Sequence, residues 1–265
     1  MNFGELLEIC RRIREEIKRE IHGFSQEELS KEVGMGKDGT PTKKVDRIAE
    51  DIALKILKER EFTIVSEEAG IVGNGNVYVA LDPIDGTFNA SRSIPIYAIS
   101  LCFSKSEFLG DSFFAYVANL ATEAEYYSIG RWGAGESFKN GKRIRVSSTN
   151  TIYCNAIFYY PNRNYGFKRF RIFGSAALEL CFVADGSVDV FIDIRSREDL
   201  GFLRIYDVAA GLLICRNAGA KATDASGESL ERRRFTMDER LTLIVANENL
   251  HDKIIKSISI EKAGQ

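Results

Sequence analysis

Residues 79–89 read VALDPIDGTFN: Asp82 and Asp85 stand three apart around Pro83, and Gly86-Thr87 follows at once. Two carboxylates held close repel unless something positive compensates them. Oxygen donors with no histidine or cysteine nearby suit Mg²⁺, with Mn²⁺ a possible substitute, rather than zinc or copper. Pro83 fixes its own φ and helps turn both carboxylates toward one point, where the carbonyl of Ile84 is a further candidate ligand. Gly86 lets backbone N–H groups approach an anion, and a helix starting within 87–91 would add a favourable dipole for phosphate. Metal and phosphate recognition so close together point to phosphate ester hydrolysis.

Taken alone, D-P-x-D is most often an ordinary turn with an aspartate cap. Other acids shift the balance. Glu67 follows TIVS, Asp193 ends VDVFID, and Asp207 heads the apolar run YDVAAGLLI. Strand ends are where α/β proteins gather site residues. A D-x-D-G-T aspartyl phosphatase is excluded because Pro83 occupies the position of its first aspartate. A histidine mechanism is poorly supported, since His22 and His251 lie near the two ends.

The elements that position these groups follow from periodicity. Leu6, Leu7, Ile9, Cys10, Ile13, Ile17 and Ile21 predict an amphipathic helix over 4–22. The stretch VGMGKDGTPTKK reads as a loop, and a second helix is expected from about Thr42 through Ile56. Phe62–Val65 and Val77–Leu81 read as buried strands, and residues 96–128 as an antiparallel meander. A hairpin turning at Asn140-Gly141 follows. Beyond 150 the pattern becomes NAIFYY strand, SAALELCFVADG helix, VDVFID strand, YDVAAGLLICRNAG helix and LTLIVAN strand. The expectation is two α/β layers of similar size: a 1–150 half with the metal-binding loops and a 151–265 half with the substrate pocket.

Composition narrows the class. The 265 residues carry a net charge of -2, so no basic field invites nucleic acid, although YYPNRNYGFKRFRIF alone could suggest stacking on single strands. No apolar run approaches the roughly 18 residues that span a bilayer, and the charged, helix-periodic start is not read as a signal peptide. The five cysteines form no C-x-x-C pair and are expected as buried free thiols in a reducing cytoplasm.

SEEAG (66–70), LDPIDGTFNA (81–90) and IYDVAAGLLICRNAGAK (205–221) together resemble the signatures of the inositol monophosphatase superfamily, in order and spacing. The likeness covers essentially the whole chain and is strongest to the archaeal branch that acts on fructose 1,6-bisphosphate and inositol 1-phosphate. It implies an α+β fold, an αβαβα sandwich, and water attack assisted by two or three Mg²⁺ without a covalent intermediate. Glu67, Asp82, the Ile84 carbonyl, Asp85 and Asp207 would hold metal, and Asp46, Thr87 and Glu67 would serve catalysis. Asp85, Gly86 and Thr87 would cradle phosphate, while Arg171, Ala176, Asp193 and Arg195 would contact the rest of the substrate. Asp38 and Thr40 would approach a third, weaker metal. A homodimer is common among such relatives. A nucleotide 3′-phosphatase acting on phosphoadenosine is the alternative within the superfamily, and an inactive metal-binding interaction protein the alternative outside it. The stretch SREDLGF, between Arg195 and Asp207, is longer than in some relatives and could reshape the mouth of the site.

Overall fold

Asn2 starts the first helix: its side chain accepts the N–H of Glu5, and Glu5 accepts the N–H of Asn2 in return. This reciprocal cap satisfies two donors that a helix terminus otherwise leaves unmet. The helix, α1 (Phe3–Ile21), buries Leu6, Cys10, Ile13, Ile17 and Ile21 along one stripe. The computed structural model describes residues 2–37, 39–197 and 200–259.

After the short α2 (Gln26–Leu29) the chain departs from expectation. The glycine-rich stretch is a small hairpin of β1 (Glu32–Met35) and β2 (Pro41–Lys43), and α3 (Lys44–Leu57) begins two residues after Thr42. The glycines that argued for a loop make its turn. Gly39 adopts φ +90°, and the Gly36 N–H donates to the Thr40 carbonyl at 2.8 Å. Asp38 lies outside the described residues.

The first sheet contains β3 (Phe62–Ser66), β4 (Gly70–Val72), β5 (Val77–Asp85), β6 (Ala98–Ser104), β7 (Ser112–Asn119), β8 (Glu125–Arg131), β9 (Ala134–Lys139) and β10 (Lys142–Arg143). Its order is β10-β9-β8-β7-β6-β5-β3-β4, antiparallel except where β3 runs parallel to β5. The second sheet has five strands, so the two layers are unequal. It is ordered β12 (Arg169–Arg171), β11 (Asn155–Phe158), β13 (Val190–Asp193), Leu243–Asn247 and Ala220–Thr223. The sequence reading missed Ala220–Thr223 and the C-terminal helix Glu248–Ser259, and began the last strand too early. Arg240–Leu241 instead pairs with Leu203–Arg204.

Strand alternation builds the layers. On one face of the large sheet Ile64, Val79, Leu81, Ile99, Leu101 and Phe103 pack on α1 and α3. On the other, Val65, Ala80, Cys102, Ala115 and Val117 meet α5 (Ala176–Ala184) and α6 (Ile205–Asn217). Those two helices also cover Ile157, Phe191 and Val245 of the second sheet. The far face of that sheet, including Phe158, Ile192 and Ile244, is covered by Leu250 and Ile254 of the C-terminal helix. The order is therefore helix, sheet, helix, sheet, helix, the αβαβα sandwich.

The middle helices are apolar nearly all round, as a helix between two sheets must be. They approach so closely that a Cβ at Gly211 would lie 2.7 Å from the Cβ of Leu180. All five cysteines are buried free thiols. Among the described residues no helix is long and apolar enough to cross a membrane.

Candidate active site

β5 lies in the interior of the large sheet, yet it contains a proline, which cannot donate to a ladder. The register explains this. Asp82 pairs with Ser100 and Asp85 with Ala98, so three steps on β5 match two on β6, and Pro83 sits in the bulge. A bulge bends a strand and re-aims its side chains. The turn closes on itself: the Ile84 N–H donates to Asp82 Oδ1 at 3.0 Å, and Thr87 Oγ1 donates to the Ile84 carbonyl at 3.2 Å. Gly86 follows at φ +95°, capping the four-residue helix α4 (Thr87–Ala90). A Cβ there would come within 3.0 Å of the Gly174 carbonyl, so only glycine fits without displacing backbone.

Four elements bring acids to this point. Ser66 pairs with Leu81, so Glu67 leaves β3 beside Asp82. Asp46 occupies the first turn of α3, accepting the Lys43 N–H at 3.0 Å and Thr87 Oγ1 at 2.8 Å. Asp207 occupies the first turn of α6, accepting the Arg204 N–H at 2.8 Å. Acids are favoured at helix N-termini, where the dipole and unmet N–H groups are. Their proximity is visible in Asp82. Burial pushes its carboxyl up strongly, and the charges of Glu67, Asp85, Asp207 and Asp46 push in the same direction. Asp46 is pushed up to about 7, first by burial and also by Glu68, against the hydrogen bonds from Thr87 and Lys43.

Asp85 has a further role that its position in the motif did not reveal. Its carboxylate accepts Ser175 Oγ and the N–H groups of Ala176 at 3.1 Å and Ala177 at 2.8 Å. It thus caps α5 across a separation of some 90 residues. Burial pushes it up to about 6, held back by those bonds. Asn89 Nδ2 reinforces the junction, donating to the carbonyls of Phe173 at 2.6 Å and Ile96 at 2.7 Å.

The expected substrate residues divide into two groups. Ala176 stands at the Asp85 junction. Asp193 and Arg195, both expected to contact substrate, are paired with each other: Arg195 Nε and Nη2 donate to the two Asp193 oxygens at 2.9 and 2.6 Å. The guanidinium lies over the ring of Tyr159, 4.5 Å from its centre, with Tyr160 and Phe202 at 5.4 and 5.1 Å. Arg171, on the edge strand β12, is exposed, and its Nη1 donates to the Phe170 carbonyl at 2.7 Å.

Comparison with known proteins fits this arrangement. The profile of the inositol monophosphatase family matches residues 5–263. The chain belongs to the inositol monophosphatase family. It is 54% identical over 258 residues to a fructose-1,6-bisphosphatase/inositol-1-monophosphatase of Archaeoglobus fulgidus, covering 97% of this chain and all of the relative. A similarly named protein of Methanocaldococcus jannaschii is 36% identical, with 91% of this chain and 94% of that one covered. A crystal structure of an inositol monophosphatase–fructose 1,6-bisphosphatase superposes with a TM-score of 0.81 at 33% identity, covering 97% of this chain and all of the other. The protein is thus a phosphatase of a family that is generally metal-dependent.

The donors in this family member fit a hard cation. They are carboxylates and a carbonyl, and the four charges acting most strongly on the buried Asp82 are negative. Among the described residues no three acidic, histidine or cysteine side chains are already closed into a ligand set. Glu67, Asp82, Asp85 and Asp207 are neighbours by charge, not a preformed cage.

Several supporting residues were not singled out from sequence. Glu50 accepts Ser66 Oγ at 2.6 Å and the Ala69 N–H at 2.8 Å, fixing the turn that follows β3 and carries Glu67. It stands one helical turn after Asp46, and that spacing was the available signal. Ser175 and Asn89 gave no signal, because their partners are remote in sequence.

Proposed function

We propose that this phosphatase hydrolyses fructose 1,6-bisphosphate and inositol 1-phosphate by direct attack of water, with Mg²⁺ as its metal. The observation that carries the chemistry is the hydrogen bond from Thr87 Oγ1 to Asp46 beside the buried Asp82. The Thr87 hydroxyl directs its hydrogen bond to Asp46, the shorter of its two contacts, leaving its oxygen lone pairs to accept one from water. Asp46 accepts that hydrogen bond and so orients the hydroxyl toward the water. Glu67, Asp82, the Ile84 carbonyl, Asp85 and Asp207 are the residues to hold two or three ions. When bound, Mg²⁺ supplies the charge that neutralises these carboxylates and lowers the pKa of bound water. Backbone donors at Gly86 and Thr87 hold the phosphoryl oxygens.

The names of the relatives support the substrates. Arg195 and Arg171 supply guanidinium groups for a second phosphate or for hydroxyls, and Asp193 orients Arg195. The alternative is a nucleotide. A Methanocaldococcus jannaschii bifunctional NADP phosphatase/NAD kinase is 33% identical over 96% of this chain, which spans half of that protein. The exposed rings of Tyr160 and Phe202 could stack on a base. On our reading the enzyme works in the cytoplasm, as a homodimer, in gluconeogenesis.

Phosphate release from fructose 1,6-bisphosphate, inositol 1-phosphate, phosphoadenosine phosphate and NADP, each with Mg²⁺ and with chelator, tests this. Comparable Mg²⁺-dependent turnover of the first two is expected. Preference for either nucleotide would overturn the substrate assignment, and turnover that survives chelation would overturn the metal.

A further inference from the structure

One buried carboxylate has no part in the chemistry above. Glu179 lies in α5 within the apolar run AALELCFVA and is 0% exposed. A carboxylate in such surroundings is costly unless its acceptor positions are met. Three donors meet them from two directions. One oxygen accepts the N–H of Phe173 and, at 3.1 Å, that of Gly174. The other accepts the Tyr159 hydroxyl at 2.6 Å.

Each arm ends at a different part of the site. Residues 173–174 form the turn, with Gly174 at φ +78°, that delivers Ser175, Ala176 and Ala177 to Asp85. The same turn rests its Gly174 carbonyl against Gly86. Tyr159 is the platform beneath the Arg195 guanidinium. One rigid group therefore links the turn beside Gly86 to the arginine.

We propose that Glu179 is a positioning residue that fixes the phosphate-binding turn and the Arg195 platform relative to one another. It thereby sets the preference for substrates bearing a second anionic group. The inference rests on the phosphatase reading above. A bisphosphate has its two anions at a limited range of separations, so both recognition points must be held together. Misplacement of a reacting group by about 1 Å can cost on the order of 100-fold in rate.

The test uses the full chain with Mg²⁺ and compares fructose 1,6-bisphosphate with 4-nitrophenyl phosphate, which has a single phosphate. Tyr159→Phe cuts only the arm to Arg195. It should lower kcat/KM for the bisphosphate about 10-fold more than for 4-nitrophenyl phosphate, chiefly through KM. Glu179→Leu cuts both arms and should lower kcat on both substrates by roughly 100-fold. Glu179→Gln should restore activity to within about fivefold of wild type. Its amide oxygen can accept from residues 173 and 174, and its NH₂ can donate to Tyr159. Equal losses on the two substrates in Tyr159→Phe would overturn the proposal, as would wild-type kinetics in a folded Glu179→Leu. If Glu179→Leu does not fold, the other two variants still decide. Absence of Mg²⁺-dependent turnover by the unaltered protein would overturn the phosphatase reading itself, and this inference with it.

Discussion

Two buried acids of this molecule, Glu125 and Asp82, meet opposite electrostatic environments. Glu125 lies where β8 packs on α1. It accepts Arg11 Nε at 3.2 Å and Nη2 at 2.5 Å, Arg14 Nη1 at 3.4 Å and the Tyr116 hydroxyl at 3.1 Å. Burial pushes its carboxyl up, but these hydrogen bonds and charges outweigh burial and hold it below the usual range. Asp82 is more deeply buried, and burial first, then the carboxylates that are its strongest charged neighbours, raise it. Glu125 thus has its cations built into the fold. The interactions acting most strongly on Asp82 include no such cation, and on the proposed reading a bound metal would supply the compensating charge.

Asp82→Asn is the strongest test of that contrast. On the proposed metal reading it should lower turnover by about 1,000-fold or more, because a charged ligand would be lost with little change of shape. The same substitution should raise the Tm of the metal-free protein, since one of several repelling charges disappears. A fall in the metal-free Tm, read by calorimetry in the presence of chelator, would break the comparison.

Glu125→Gln should act in reverse. It removes the buried carboxylate that Arg11 and Arg14 share, leaving them Glu8, Glu15 and Glu123 at the surface, and should destabilise by about 1–2 kcal/mol, below the range for a fully buried pair because Arg11 is 39% exposed. Turnover per folded molecule should stay near wild type. Denaturant unfolding and steady-state rates measured on one preparation separate the two effects.

The smallest effect is a pH dependence. Asp46 and Glu179 are pushed up to about 7 and Asp85 to about 6, each first by burial. Raised acids contribute stability that is fully present below the unfolded pKa of about 4 and lost as pH rises through 6–7. The metal-free protein should therefore melt roughly 5 °C lower at pH 8 than at pH 5.5. Saturating Mg²⁺ at pH 8 should reverse the loss. A flat profile without metal would show that the acids are compensated from within.

Much of this was legible in the chain. DPIDGT announced paired carboxylates beside a tight glycine turn because its geometry is local: proline, aspartates and glycine act within six residues. The apolar α6 with Asp207 at its head was equally readable, since an all-apolar helix must lie between two layers. The hairpin at Glu32–Lys43 was not, because glycine marks loops and tight turns alike. Glu179 is one acid in an apolar helix, and its partners Tyr159 and Phe173 are not connected to it by the pattern of residues.

By itself the sequence determined which atoms could do chemistry and which elements would carry them, because motif spacing and hydrophobic period are properties of neighbouring residues. Only the tertiary structure decided that Asp85 caps α5, that Asp193 holds Arg195, and that Thr87 meets Asp46 across 41 positions. Those contacts close long loops, and which loops close is set by the packing of the two sheets around α5 and α6.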